Sequence, residues 1–230
     1  MKRFWTAVFI FFILGVLCFC CSKQHLLGIP VFRGNDHHKT LIIDAGHGGF
    51  DGGAQAADGT SEQDINLRIA KDLCALCGLF GESATMTRWD ENALNYDAGR
   101  TIHENKEADI KARKKIADGV SEGVFLSIHL NKFDQPQYYG AQTFYSLNDS
   151  KSVIYAENIQ ENLLLGIQND NIRKAKPAPK TVYLMQHLDC PAVIVECGFL
   201  SNPNEADLLK TSDYQKKLAL CIFCGYMGVR

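Results

Sequence analysis

The 230-residue chain has no excess of positive charge: 24 lysines and arginines stand against 26 acidic residues, a formal net charge of −2. Without a basic field there is no electrostatic footprint for nucleic acid, and no nucleic-acid partner is expected. Internal repeats and low-complexity tracts are also missing, and no separate binding module is expected after Arg230. What remains is an ordinary globular composition, 46% hydrophobic and 22% charged, able to bury a core. Composition alone assigns no function.

Long uncharged runs are scarce, with one exception at the start. Lys2 and Arg3 precede a run without charge from Phe4 to Cys21. As a helix its eighteen residues span ~27 Å, close to the ~30 Å of a bilayer's hydrocarbon core. The flanking cations orient its start towards the cytoplasm. Residues 1–21 are therefore read as a membrane anchor or a signal segment; an A-x-A-like cleavage site is lacking, which leans towards the anchor. In both readings the rest of the chain is exported, membrane-anchored or secreted. Residues 22–39 form a polar linker, in which the adjacent His37 and His38 read as a solvated pair, and 40–230 form a single domain.

Cysteine is plentiful, nine in all, three of them (Cys18, Cys20, Cys21) in the uncharged run. The pairs Cys74/Cys77 and Cys221/Cys224 have the C-x-x-C spacing of a disulfide or a four-thiolate zinc site. Both pairs lie in helical patterns among apolar neighbours, where residues three apart share a face. Thiols in such places act as small hydrophobes, so core packing is the expectation.

From Thr40 onward, short β-branched runs alternate with stretches of helical period. The runs are Thr40–Asp44, Ala84–Arg88, Val124–Leu130, Ala141–Ser146 and Ala192–Gly198. Helices are expected near Ile65–Leu79, Asp109–Asp118, Val153–Ile167 and Asp213–Gly225. This alternation implies an α/β fold with a mostly parallel twisted sheet flanked by helices. Such sheets gather ligands outside the carboxyl ends of their strands, so polar residues that end apolar runs carry the interest. Three runs finish this way, at His47, His129 and Glu196.

The first of them opens "LIIDAGHGGFDGGA", Leu41–Ala54, a glycine-rich loop after a strand. Its G-x-G-x-x-x-G pattern approaches a dinucleotide fingerprint, but Asp51 would oppose a pyrophosphate and the strict G-x-G-x-x-G is not met. A metal explains more residues. A catalytic zinc takes three protein ligands from histidine and carboxylate, leaving a fourth position open. His47 and His129 leave separate strands, and "TSEQDINLRIA" supplies Glu62 in the first turn of a helix, where the dipole favours an ionised carboxylate. Ser61 and Asp64 have the spacing of a capping box for that helix. Glu196 ends the apolar strand "PAVIVECGF", and a buried acid there can move a proton beside a metal-activated water. An acidic first turn can equally serve helix stability alone, and Glu196 can equally sit in a salt bridge.

Together "LIIDAGHGGFDGGA", "SEQDINLRIA", "FLSIHLN" and "VIVECGFLSNPNEADLL" resemble the zinc-dependent N-acetylmuramoyl-L-alanine amidases of the bacterial cell wall, from about Thr40 to the C-terminus. The resemblance implies Zn2+ held by His47, Glu62 and His129, with Glu196 as acid and base, in hydrolysis of peptidoglycan stem peptides from muramic acid. "YGAQTFYS" and "SIHLN" are most similar to germination-specific, spore-cortex members, which implies a role in muramic δ-lactam formation and a place in the cell envelope or forespore intermembrane space. Ala45 stands where the family usually has proline, and Gln63 where lysine is common. Ser127 and Asn131 flank His129 and are expected to support it. Arg100, Arg173 and Lys174 are candidates for peptide carboxylates, whereas Arg113 lies in a helical stretch and is expected to support the fold. The segment after His129 is too short for a long covering helix, so an open site is expected. Three alternatives remain: a non-catalytic peptidoglycan-binding module, an enzyme needing an accessory protein, or a vegetative autolysin.

Overall fold

The structure is a computed structural model describing residues 39–167 and 170–229. The expected anchor 1–21, and the linker 22–39 up to His38, lie outside the described residues. Among the described residues no helix is long and apolar enough to cross a membrane.

Along the chain come β1 (Thr40–Ala45), α1 (Glu62–Leu79), β2 (Ala84–Met86), α2 (Ile102–Asp118), β3 (Gly123–Asn131) and β4 (Gln142–Tyr145). There follow α3 (Lys151–Gly166), β5 (Lys176–Pro177), α4 (Tyr183–His187), β6 (Ala192–Phe199), α5 (Pro203–Leu209) and α6 (Ser212–Met227). The sheet order is β2-β1-β3-β6-β4-β5. Pairings β1/β2, β1/β3, β3/β6 and β4/β5 are parallel, but β4 runs antiparallel to β6. The sheet is thus mixed: four of its five pairings are parallel, as expected, and β4/β6 is the exception. The cause is the link 132–141, which returns from the carboxyl end of β3 without a helical crossover. A strand entered that way runs opposite to β3, and β6 is parallel to β3.

Alternation along the buried strands divides the core in two. Leu41, Ile43, Leu126, Ile128, Val193 and Val195 face the cluster that takes in α1, α3 and α6. Ile42, Phe125 and Ile194 face the other side, with Ala117 of α2 and Leu184 and Met185 of α4. Each buried aliphatic side chain contributes about 1.5–3 kcal/mol. Tyr155 of α3 stacks on Tyr226 of α6 at 5.8 Å. Gly225 lets these helices approach, because a Cβ there would lie 2.5 Å from the Ile159 Cα.

Two helix starts differ from expectation. Ser61 precedes α1 without capping it: its hydroxyl donates to the Gly52 carbonyl at 2.6 Å instead, so the Ser61/Asp64 box does not form. Helix α2 begins at Ile102, well before Asp109, behind a capping box made by Thr101 and Glu104. Its buried residues are Asn105, Asp109, Arg113 and Ala117, a stripe at intervals of four that is mostly polar. The six described cysteines form no disulfide; Cys77, Cys197 and Cys221 are buried, Cys74 and Cys190 half-buried, and Cys224 exposed. Of the two C-x-x-C pairs, Cys77 and Cys221 lie in the core and Cys74 packs against it, whereas Cys224 departs from the core expectation, and neither pair forms a disulfide.

Candidate active site

Strand β1 delivers a tight loop at its carboxyl end. His47 sits there at φ 63°, a left-handed conformation uncommon for a residue with a Cβ. The glycines around it have specific work. A Cβ on Gly46 would lie 2.4 Å from the His129 ring, and one on Gly53 would lie 2.5 Å from Glu62 Oε2 and 2.7 Å from the His47 ring. Only bare backbone fits so close to three side chains.

Those side chains converge. His47, Glu62 and His129 offer donor atoms that all lie within 4.8 Å of one another, and they are the one such metal-ligating group among the described residues. Glu62 Oε1 lies 3.3 Å from His47 Nε2 and 3.0 Å from His129 Nδ1. The carboxylate is also fixed by protein donors: Leu130 N–H and Asn66 Nδ2 to Oε1, and Ala54 N–H to Oε2. Burial alone would raise the Glu62 pKa, but the two histidines reverse this and hold it well below the usual carboxylate range. For His47 burial would lower the pKa, yet Asp51 and Glu62 raise it to about 9. Asp51 Oδ2 stands 3.1 Å from His47 Nδ1, and its Oδ1 stands 3.2 Å from Lys106 Nζ. Without a metal, then, His47 holds a proton between two carboxylates, the charge distribution that a cation at this point would replace.

Glu196 on β6 is paired in register with His129 on β3. Its Oε2 is buried and has no hydrogen-bond partner. Burial pushes its pKa up to about 7; the His129 charge opposes this and the Glu62 charge adds to it. An acid poised there can both take and give a proton near neutrality. A pocket of about 230 Å3 opens onto both histidines, walled by α2 and by Thr181–Leu184.

Residues 41–225 match the family described as N-acetylmuramoyl-L-alanine amidase. The chain belongs to that family. The germination-specific N-acetylmuramoyl-L-alanine amidase of Bacillus subtilis (strain 168) is 34% identical over 189 residues, covering 82% of this chain and 78% of that protein. Among solved structures, the CwlD amidase from Clostridioides difficile, in complex with the GerS lipoprotein, superposes with a TM-score of 0.80 at 40% identity, covering 84% of this chain and 98% of that one. The N-acetylmuramoyl-L-alanine amidase from Clostridium difficile 630 gives a TM-score of 0.72 at 26% identity, covering 84% and 97%.

In this amidase the other expected site residues have varied destinations. The Ser127 hydroxyl donates to Asp44 Oδ2 at 2.6 Å. Asn131 accepts from the Lys132 N–H at 2.8 Å, so it serves the turn after β3. Arg100 donates to the Asn95 carbonyl, and Arg173 to the Tyr139 carbonyl and to Gln142 Oε1. Lys174 gives its carbonyl to Gln142 Nε2.

Arg113, read from sequence as a support, holds the His47 loop itself: it donates to Asp44 Oδ1, to the carbonyls of Ala45 and His47, and to Asp109. Burial alone would raise the Asp44 pKa, but Arg113, Ser127 and Thr87 hold it below the ordinary value. Arg88 escaped sequence reasoning. It is buried, and it donates to the carbonyls of Ala45, Gly46, Gln63 and Asp90. It thereby ties the backbone next to His47 to the backbone next to Glu62.

Proposed function

We infer that the chain hydrolyses the amide bond between N-acetylmuramic acid and L-alanine in peptidoglycan, with zinc as its metal and the spore cortex as its setting. The observation that carries this is the convergence of His47, Glu62 and His129 beside a pocket that opens onto both histidines, with the partnerless Glu196 oxygen across the β3/β6 register. Two imidazoles and one carboxylate form a donor set that suits a catalytic zinc with one position open. The germination-specific relative and the CwlD structure support the cortex setting.

A bound zinc ion supplies polarisation of the scissile carbonyl and activation of water. His47, Glu62 and His129 hold it. Asp51, through His47 Nδ1, fixes one ring, and the backbone N–H groups of Leu130 and Ala54 fix the carboxylate. Glu196 takes the proton from the attacking water and delivers it to the L-alanine nitrogen as the C–N bond breaks, leaving a lactyl carboxylate and a free amine.

Residues 1–21 are proposed to anchor or export the enzyme, 22–39 to tether it, and 40–230 to carry catalysis in the cell envelope or forespore intermembrane space. Because CwlD was solved with a lipoprotein partner, an accessory protein is proposed for this chain as well. Glu196→Gln should keep stoichiometric zinc while release of stem peptides falls by about 10²–10⁴-fold; unchanged turnover overturns the role of Glu196. Spores lacking the protein should lose muramic δ-lactam, and a normal content refutes the cortex setting while sparing the reaction. Turnover by the full chain with zinc alone excludes a non-catalytic module, and turnover that requires an added lipoprotein establishes partner dependence.

A further inference from the structure

Beyond His129 the chain builds a feature that the amide chemistry does not use. Phe133 is 44% exposed and Tyr138 38%, yet neither ring hangs free. Phe133 meets Tyr138 edge-on at 5.3 Å and packs on Phe199 at 5.1 Å, and the Arg173 guanidinium sits 4.7 Å from the Phe199 ring centre. The backbone beneath is pinned as well: the Phe133 N–H donates to Ser201 Oγ at 3.1 Å, and Asn202 Nδ2 donates to the Pro136 carbonyl at 2.9 Å. With Asp134 and Gln135, the two rings line a shallow recess of about 370 Å3.

Its place is informative. Phe199 pairs in register with Asn131, and Glu196 pairs with His129. The Phe199 that carries Phe133 therefore stands three residues past Glu196 on β6, across a bulge that sets those three against two residues of β3. That is the open carboxyl end of the sheet, where α/β folds gather ligands. Rigid, exposed aromatic rings rimmed by polar groups mark a binding surface, since packing alone would have buried them.

The lining selects the ligand. Flat ring faces match the C–H faces of a pyranose, while Asp134 accepts from hydroxyl groups and Gln135 both donates and accepts. A stem peptide carries free carboxylates, which Asp134 repels. We propose that this recess holds the sugar next to the muramic acid whose amide is cut, so that the enzyme reads the glycan strand as well as the bond. The proposal rests on the amidase reading above.

The test uses the full chain with zinc and two substrates, glycan strands bearing stem peptides and a lone N-acetylmuramoyl-peptide. Tyr138→Ala and Gln135→Ala leave the Phe133–Phe199 packing in place, so folding does not confound them. The preference for strands over the lone unit, as a ratio of kcat/KM values, should fall about tenfold in Tyr138→Ala. Equal loss on both substrates would assign the recess to the stem peptide, and unchanged kcat/KM on both would leave it as a surface for an accessory protein; both overturn the proposal. A peptide-free N-acetylglucosamine oligomer, titrated calorimetrically, should bind the wild-type chain and bind Tyr138→Ala more weakly, and no binding to wild type also overturns it. If the wild type cuts neither substrate, with or without an added lipoprotein, the amidase reading fails, and the titration still decides the recess.

Discussion

His47 is held in a left-handed conformation that costs about 1–3 kcal/mol for a non-glycine residue. The structure over-determines that conformation. Arg113 grips the His47 carbonyl, Arg88 and Arg113 share the Ala45 carbonyl, and Asp51 binds the ring. Asp51→Asn keeps the side chain's size but removes the charge that fixes the ring, so zinc affinity should fall by about 10–100-fold. Competition with a chromophoric chelator measures this, and unchanged affinity would show that Asp51 does not hold the ligand. The three donors were legible in the sequence because His47 follows a strand, His129 lies near the end of one, and Glu62 opens a helix. Arg88 was not, because its partners are backbone oxygens at positions 45, 46, 63 and 90, and a carbonyl acceptor leaves no residue type to read.

Among the elements, α2 explains most of what the hydrophobic pattern missed. Apolar periodicity finds a helix by its oily stripe, but α2 buries Asn105, Asp109 and Arg113, so only its second half was expected. Its start signal, T-x-x-E at Thr101–Glu104, stood in the sequence without an apolar run to support it. The buried strands were legible to within a residue or two because β-branched runs bounded by polar residues are unambiguous. The direction of β4 was not, since local pattern carries no information about which neighbour a strand meets. The α3/α6 crossing gives a sharp prediction. Alanine normally stabilises a helix interior by about 0.5–1 kcal/mol over glycine. At Gly225 the new methyl meets the Ile159 backbone, so Gly225→Ala should instead destabilise the fold by about 1–3 kcal/mol in urea titration. A gain in stability would show that the helices can part without cost.

At the scale of the whole molecule, the ligand group joins the β1 loop, α1 and β3, so its protonation couples to folding. In the metal-free chain His47 has its pKa raised from 6.5 to about 9. The stabilisation this represents is complete below the unfolded value of about 6.5 and is lost as pH rises through the folded value of about 9. The Tm of chelator-treated protein should therefore fall across that window, while zinc affinity, which needs neutral His47, should rise. Calorimetry at several pH values checks both, and a metal-free Tm that climbs over the same range contradicts the assignment of the His47 proton. The polar stripe of α2 reaches further still. The Leu94 N–H donates to Asp109 Oδ1 and the Asp97 N–H to Asn105 Oδ1, although both residues lie in an irregular stretch. Those two amides cannot meet deuterium until α2 lets go of them, so they should exchange at the pace of the helix and not of a surface loop. The irregular stretch and the helix beneath it would then open as one unit.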